Sequence, residues 1–205
     1  MGRTPRQHRA ATREEVIALG QRIVAAEGLS ALQARRVAGE AGCSVGTLYN
    51  LFGDLDALVF EVNARTLQRL AEAAGAALAQ MSPDAPPAGR IAVLARAYVD
   101  FAHREEAAWR AVFEHRLAEG REVPDWYRAR RVAPFVLLEP DLAALAPRLP
   151  AAERARAARA LWAGVHGIVS IGLDEKLDAA PPEEIAAQVD LVVRAITRGL
   201  AAPQP

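Results

Sequence analysis

The chain has 205 residues, 25 Lys and Arg against 25 Asp and Glu, one cysteine and few aromatics. That length can bury one or two cores, and a single cysteine excludes an internal disulfide and points to reducing surroundings. No run approaches the roughly 20 apolar residues of a membrane helix, and the N-terminal arginines lead into no apolar stretch, which excludes a secretory signal; the expectation is a soluble, cytoplasmic protein without membrane contact.

A net charge of zero argues at first against nucleic acid, but its distribution matters more than its sum. Residues 1–13 hold Arg3, Arg6, Arg9 and Arg13 and no acid; residues 1–53 hold seven Arg against Glu14, Glu15, Glu27 and Glu40, leaving the remainder net acidic. The part suited to phosphate is therefore the N-terminal quarter. No sustained apolar/polar alternation of the strand type occurs, so the fold class is all-α.

Residues 1–11 read as a mobile basic arm, either a solvated tail or an arm that follows the DNA backbone or enters a minor groove. Thr12 caps a first helix, with Glu15 completing a capping box; Val16, Ile17, Gly20, Ile23 and Val24 form its inner stripe, and Gly28 ends it. A second helix begins near Gln33, Arg35 and Arg36. Its N-terminal end attracts phosphate, Gln33 can donate to one, and the two arginines add charge.

Ala34–Gly53 reads ARRVAGEAGCSVGTLYNLFG. Val37, Ala38 and Ala41 share one face of the short second helix. Gly42 can take the left-handed conformation that ends it, and Ser44 is a good N-cap for the next helix. Val45, Leu48 and Phe52 turn inward, and Cys43 fits an apolar slot of the turn as a buried structural thiol. Two short helices joined in this way make a helix-turn-helix whose second helix is offered to the major groove. The outward set is Ser44, Gly46, Thr47, Tyr49 and Asn50, with Val45 at the helix start. Asn50 can bond an adenine edge at two points, Thr47 can meet a thymine methyl or a phosphate, and Gly46 lets backbone approach the duplex.

The stretch AGCSVGTLYNLFGDLDALV resembles the helix-turn-helix and following helix of TetR-type (tetracycline-repressor-like) regulators. VIALGQRIVAAEGLSALQARRVAGEAG is similar to their first two helices, and the match runs from Thr12 to about Arg65. Leu51 stands where many members carry His and Leu55 where many carry a phosphate-contacting Lys. The resemblance implies that Tyr49 contacts backbone phosphate; packing against the first helix is the alternative for that ring.

Asp54 caps a fourth helix running to about Gln80, with Leu58, Val59, Val62, Leu67 and Leu70 inward. Met81–Gly89 is a turn-rich break. The domains expected are thus 12–53 as the DNA-binding head, 54–80 as a connecting helix, 81–201 as a C-terminal ligand-binding and dimerisation domain, and 202–205 as a tail. Arg90–Arg104 and Glu105–Glu119 have helical spacing, with Gly120 stopping the second run. Pro124 fits the first turn of a further helix, which should kink or break at Pro134.

In the family resembled, this region lines a ligand cavity; the candidates here are Tyr98, Phe101, Trp109, Phe113, Trp126, Tyr127, Trp162 and His166, with plain core packing the alternative. ALWAGVHGIVSIG is similar to the Trp-x-x-x-His-Gly stretch of one TetR subfamily. Its Gly164, Gly167 and Gly172 each cost about 1 kcal/mol relative to Ala in a helix, a cost that close helix contact would offset. The last helix carries Ile185, Val189, Val192 and Ile196 on one stripe. Together with Ala160, Gly164, Gly167 and Ile171 it forms the expected interface of a four-helix bundle across a two-fold axis.

Catalytic signals are weak. His103, His115 and His166 lack zinc spacing with one another or with Cys43, and neither a phosphate loop nor a nucleophile elbow occurs; no metal or cofactor is expected. The function expected is a homodimeric, sequence-specific regulator of transcription. It binds double-stranded DNA at a palindromic operator and acts as a repressor released by a small, largely apolar effector. The alternative is a helical ligand-binding or oligomerisation protein that does not read DNA.

Overall fold

The computed structural model describes residues 11–177 and 179–202. All but the last residue of the expected basic arm, and all but the first of the expected tail, lie outside them. Ten α-helices make up the described architecture, and no strand occurs among those residues. They divide into two compact units: residues up to Thr66 together with Glu106–Tyr127, and Leu67–Glu105 together with residues from Arg128 onward.

The first unit contains α1 (Arg13–Glu27), α2 (Ala34–Glu40), α3 (Val45–Phe52), the beginning of α4 (Leu55–Ala79) and α6 (Glu106–Glu114). Thr12 caps α1 as expected: its hydroxyl accepts from the Glu15 N–H, and the Glu15 carboxylate accepts from the Thr12 N–H. Gly28 closes the helix at φ +80°. Val16, Ile17 and Val24 of α1 meet Val37, Leu48, Leu58 and Val62 in one apolar cluster, which Ala111 of α6 completes. Asp54 caps α4 through the Ala57 N–H at 2.8 Å.

Inclusion of α6 differs from the sequence expectation, which placed residues 81–201 in one C-terminal domain. Helical periodicity shows which face of α6 is apolar but not which helix receives it; α6 packs on α1 and on the short 3₁₀ turn Leu29–Ala31. A second difference is its length. The helix ends at Glu114, not Glu119, and Gly120 sits at φ +79° in a separate turn. Ala111 lies in the last turn of α6, where carbonyls have no partner inside the helix. The buried Asn63 of α4 supplies one, donating from Nδ2 at 3.0 Å.

The second unit holds the rest of α4, α5 (Pro87–Arg104), α8 (Ala133–Leu145), α9 (Ala151–Gly172) and α10 (Pro182–Ala201); α7 (Asp125–Arg131) straddles the division in sequence. Pro87 opens α5 inside the expected break, because a missing N–H costs nothing at the first helical position. Pro124 directly precedes α7, and the break expected at Pro134 is the boundary between α7 and α8 at Val132.

Ile185, Val189, Val193 and Thr197 follow one another every fourth residue on α10 and are buried, where the helix packs on α5 and α9. This corrects the interface expected from sequence: Ile185 and Val189 have no surface left for another chain. Val192 and Ile196 are half-buried, whereas Leu191 on the opposite face is 62% exposed.

Candidate nucleic-acid interface and small-molecule cavity

The turn between α2 and α3 follows from its hydrogen bonds. Gly42 takes φ +69°, its N–H donates to Gly39 at 3.2 Å, and the Cys43 N–H reaches back to Ala38 at 2.9 Å. This pair of bonds is the Schellman closure, which requires a residue tolerant of positive φ. The Cys43 thiol is half-buried, not buried as expected, since its backbone and not its sulfur makes the turn. Ser44 then caps α3, accepting from the Thr47 N–H at 3.0 Å, with the two hydroxyls 2.9 Å apart.

Leu48 and Phe52 are buried and Val45 is half-buried, anchoring α3 on the core. Arg13 lies over the Phe52 ring, 4.9 Å from its centroid, and pairs with Glu61 at 2.8 Å. One of the arginines counted toward the basic end thus ties α1, α3 and α4 together. Opposite this anchor, Ser44, Gly46, Tyr49 and Asn50 are exposed and Thr47 is half-buried. Tyr49 is 43% exposed.

The cations on α2 are less free than their number suggests. Arg36 grips Glu27 through both terminal nitrogens, at 2.8 and 2.5 Å, and Glu40 through Nε at 2.7 Å. These bonds hold the Glu27 carboxyl below its ordinary range and raise the guanidinium above its own. Arg35 is exposed. Gln33 is the exposed N-cap of α2, with its side-chain amide 3.4 Å from the Ser30 carbonyl. Leu51 and Leu55 pack partly buried against the first unit's core. Just beyond α3, Arg121 bonds Asp54, lowering that carboxyl, while its other terminal nitrogen is 3.7 Å from Asp56.

An apolar cavity, partly open to solvent, lies in the second unit. Its wall is almost wholly aliphatic: Leu70 and Ala74 from α4, Ile91 and Leu94 from α5, Leu137 and Leu138 from α8, and Leu161 and Val165 from α9. Tyr98 and Trp162 also line it. The Tyr98 hydroxyl and His166 Nδ1 are 2.8 Å apart, and the His166 ring stacks on Trp162 at 4.9 Å and 9°. Burial pushes His166 below its usual pKa, so the ring is neutral at neutral pH.

Of the eight expected pocket residues, the structure therefore brings together Tyr98, Trp162 and His166. Phe101 is buried in the second unit without lining the cavity. Trp109, Phe113, Trp126 and Tyr127 belong to the first unit, where Trp109 meets Phe113 edge-on and Tyr127 meets Phe60. Phe113 and Trp126 are also exposed, so aromatic spacing states neither which positions are buried nor which helix faces them. The aliphatic wall has the sequence pattern of ordinary core, so Leu70, Ile91 and Leu94 are legible only as inward positions and not as a site.

Of the expected interface residues on α9, Ala160 and Ile171 are exposed, and Gly164 and Gly167 are half-buried. Among the glycines of α9, an added Cβ at Gly172 would lie 2.6 Å from Ile185 and at Gly164 3.4 Å from Val192, whereas at Gly167 it would meet nothing within 4 Å.

The family described as "Tetracyclin repressor-like, C-terminal domain" matches residues 91–196, more than half of the chain. Among solved structures, a protein of unknown function from Rhodococcus sp. RHA1 is similar at 24% identity and TM-score 0.73, over 97% of this chain and all of that one. The TetR family transcriptional regulator PfmR from Thermus thermophilus is similar at 18% identity and TM-score 0.60, over 87% and 97%. A TetR-like transcriptional regulator from the same Rhodococcus strain gives 19% and 0.61, over 98% and 100%. No curated protein matches. At these identities the structural likeness establishes the shared fold.

Proposed function

Because this chain belongs to the tetracyclin repressor-like family of DNA-binding regulators, we propose that it is a homodimeric repressor whose α3 reads a palindromic operator and whose cavity takes a small, largely apolar effector. The observation that carries this reading is the outward display of Gly46, Tyr49 and Asn50 on a helix capped by Ser44 and anchored through Leu48 and Phe52. On α3, Asn50 is the base reader, Tyr49 and Ser44 position the backbone, and Thr47 contributes its methyl or hydroxyl. Arg35 supplies the phosphate charge on α2 and Gln33 a donor near its start, while Arg36 serves chiefly to fix the end of α1.

A second copy supplies the partner surface. The outer face of α9 and α10 shows Ala160, Gly167, Ile171 and Leu191, and the two large apolar side chains among them are 58% and 62% exposed. Pairing these faces about a two-fold axis makes a four-helix bundle, with Leu191 in the role expected of Ile185 and Val189. Two α3 helices must then sit about 34–36 Å apart to enter successive major grooves. An effector that prefers a dimer of different spacing by about 100-fold shifts the equilibrium by roughly 2.7 kcal/mol. The protein works in the cytoplasm in this reading; among the described residues no helix is long and apolar enough to cross a membrane. The likeness of Trp162, His166 and Gly167 to one subfamily's stretch belongs to the same proposal.

The alternative of a helical protein that does not read DNA draws on the apolar Leu51 and Leu55. Their packing against the core gives both a reason compatible with a working head. The test is a gel shift with DNA from upstream of the protein's own coding sequence. Gly46→Glu suits it, because a Cβ there meets only Ser44 Oγ, at 3.6 Å, and the fold should tolerate the change. Gly46→Glu and Asn50→Ala are expected to abolish the shift; unchanged retention by both would refute the DNA-reading role of α3.

A further inference from the structure

We propose that the cavity of the second unit selects an uncharged molecule with a hydrocarbon body and one oxygen function, an alcohol, ketone or ester, and rejects carboxylates and amines of the same length. This deepens the effector reading above and rests on it.

The wall supplies the first argument. Among the described residues no charged side chain lines the cavity, and of those that line it only Tyr98 and Trp162 carry a polar atom on the side chain. An ionised group brought inside would lose its water and gain no opposite charge, whereas methylenes gain from every contact.

The neighbouring cations are bound elsewhere. Arg69 adjoins the lining Leu70 and pairs with Glu105 at 2.6 Å. Arg90 adjoins Ile91 and pairs with the buried Asp141 at 2.7 Å. Arg96 adjoins Ala95 and pairs with Asp190, its Nε at 3.1 Å. To serve a ligand carboxylate, each would have to abandon an acid already in place.

The polar end is built without charge. Tyr98 and His166 are hydrogen-bonded, and His166 lies flat on Trp162. Desolvation favours the neutral imidazole. Such a group can orient one neutral oxygen but offers a carboxylate no full positive charge.

The experiment is isothermal titration calorimetry of the full chain at pH 7.5 with octanol, octanone, methyl octanoate, octanoate and octylamine. The three neutral compounds are expected to bind within about tenfold of one another, and the two ions at least about 100-fold more weakly. Octanoate bound as tightly as octanol would overturn the proposal, as would failure of all three neutral compounds to bind. Tyr98→Phe, with its folding checked by circular dichroism, should weaken octanol about fivefold while leaving octyl chloride, which has no oxygen, unchanged. Equal loss for both compounds would refute the anchoring role of Tyr98. Where that variant fails to fold, Val165→Phe, which occupies cavity space, should weaken all neutral ligands together; unaltered binding would show that they sit elsewhere. A parallel gel shift separates this claim from the regulatory one. Octanol that binds but leaves DNA retained refutes its action as effector and not the ligand class, whereas loss of ligand selectivity with DNA binding intact refutes only the class.

Discussion

Replacement of Gly172 by alanine sets two well-measured effects against each other. Alanine is favoured over glycine inside a helix by up to about 1 kcal/mol, and less than this applies at Gly172, the last residue of α9. Against that gain, the new methyl would lie 2.6 Å from both Cγ1 and Cδ1 of Ile185, roughly 1 Å inside the usual carbon–carbon separation. Ile185 is fully buried in the first turn of α10, and a β-branched side chain in a helix has essentially one χ1 rotamer. Cγ1 therefore cannot swing aside, and the start of α10 must move. Overpacking of this kind costs about 1–3 kcal/mol, so the net expectation is a destabilisation of about 1–2 kcal/mol. Gly75→Ala inside α4, with nothing within 4 Å of the new methyl, should instead stabilise the chain by about 0.5–1 kcal/mol. Urea unfolding followed by circular dichroism, at one protein concentration so that pairing of chains does not shift the midpoint, reads both. In an Ile185→Ala background, which removes both clashing carbons, the Gly172→Ala penalty should vanish. A Gly172→Ala midpoint at or above that of the unaltered protein would refute this account of the α9–α10 contact.

Two further outcomes follow from Asn63, which is buried, and His166, which is half-buried. Asn63→Ala removes the donor to Ala111 and should cost about 1–3 kcal/mol in urea unfolding; a change below about 0.5 kcal/mol would mean that this contact does not hold the end of α6. His166 has a depressed pKa in the fold, so the unfolded chain binds the extra proton first as pH falls. The contribution of its neutral form is complete above about pH 6.5 and is lost below it. The urea midpoint of the native protein should thus fall more steeply from pH 7.5 to 5.5 than that of His166→Gln, and parallel curves would refute the assignment.

What the sequence made legible was local. The capping box at Thr12, the reversal at Gly42 and the cap at Ser44 are each fixed by residues within four positions, and all three occur as read. The outward set on α3 followed from helical spacing alone. Partner choice was not legible. The stripe of α10 was apolar for its own chain, not for a second copy, and Trp109 and Tyr127 were buried in the first unit instead of around the cavity. A periodic pattern states that a face is covered but carries no address for what covers it. Asn63, beside Val62 on an apolar helix, finds its acceptor 48 residues away, too far for any local pattern to name. Charge counting also overstated the free cations, because Arg13 and Arg36 are tied to carboxylates of their own unit.

The recruitment of Glu106–Tyr127 into the first unit bears on how such proteins can be recombined. A chimera made by joining one regulator's leading segment to another's remainder would leave α1 and the Leu29–Ala31 turn facing a foreign α6, with no Ala111 chosen to complete their cluster and no assurance of a carbonyl for Asn63. Reprogramming specificity by transplantation thus calls for two separate inserts carried over together, or for changes confined to the outward residues of α3, which leave that discontinuous framework as it stands.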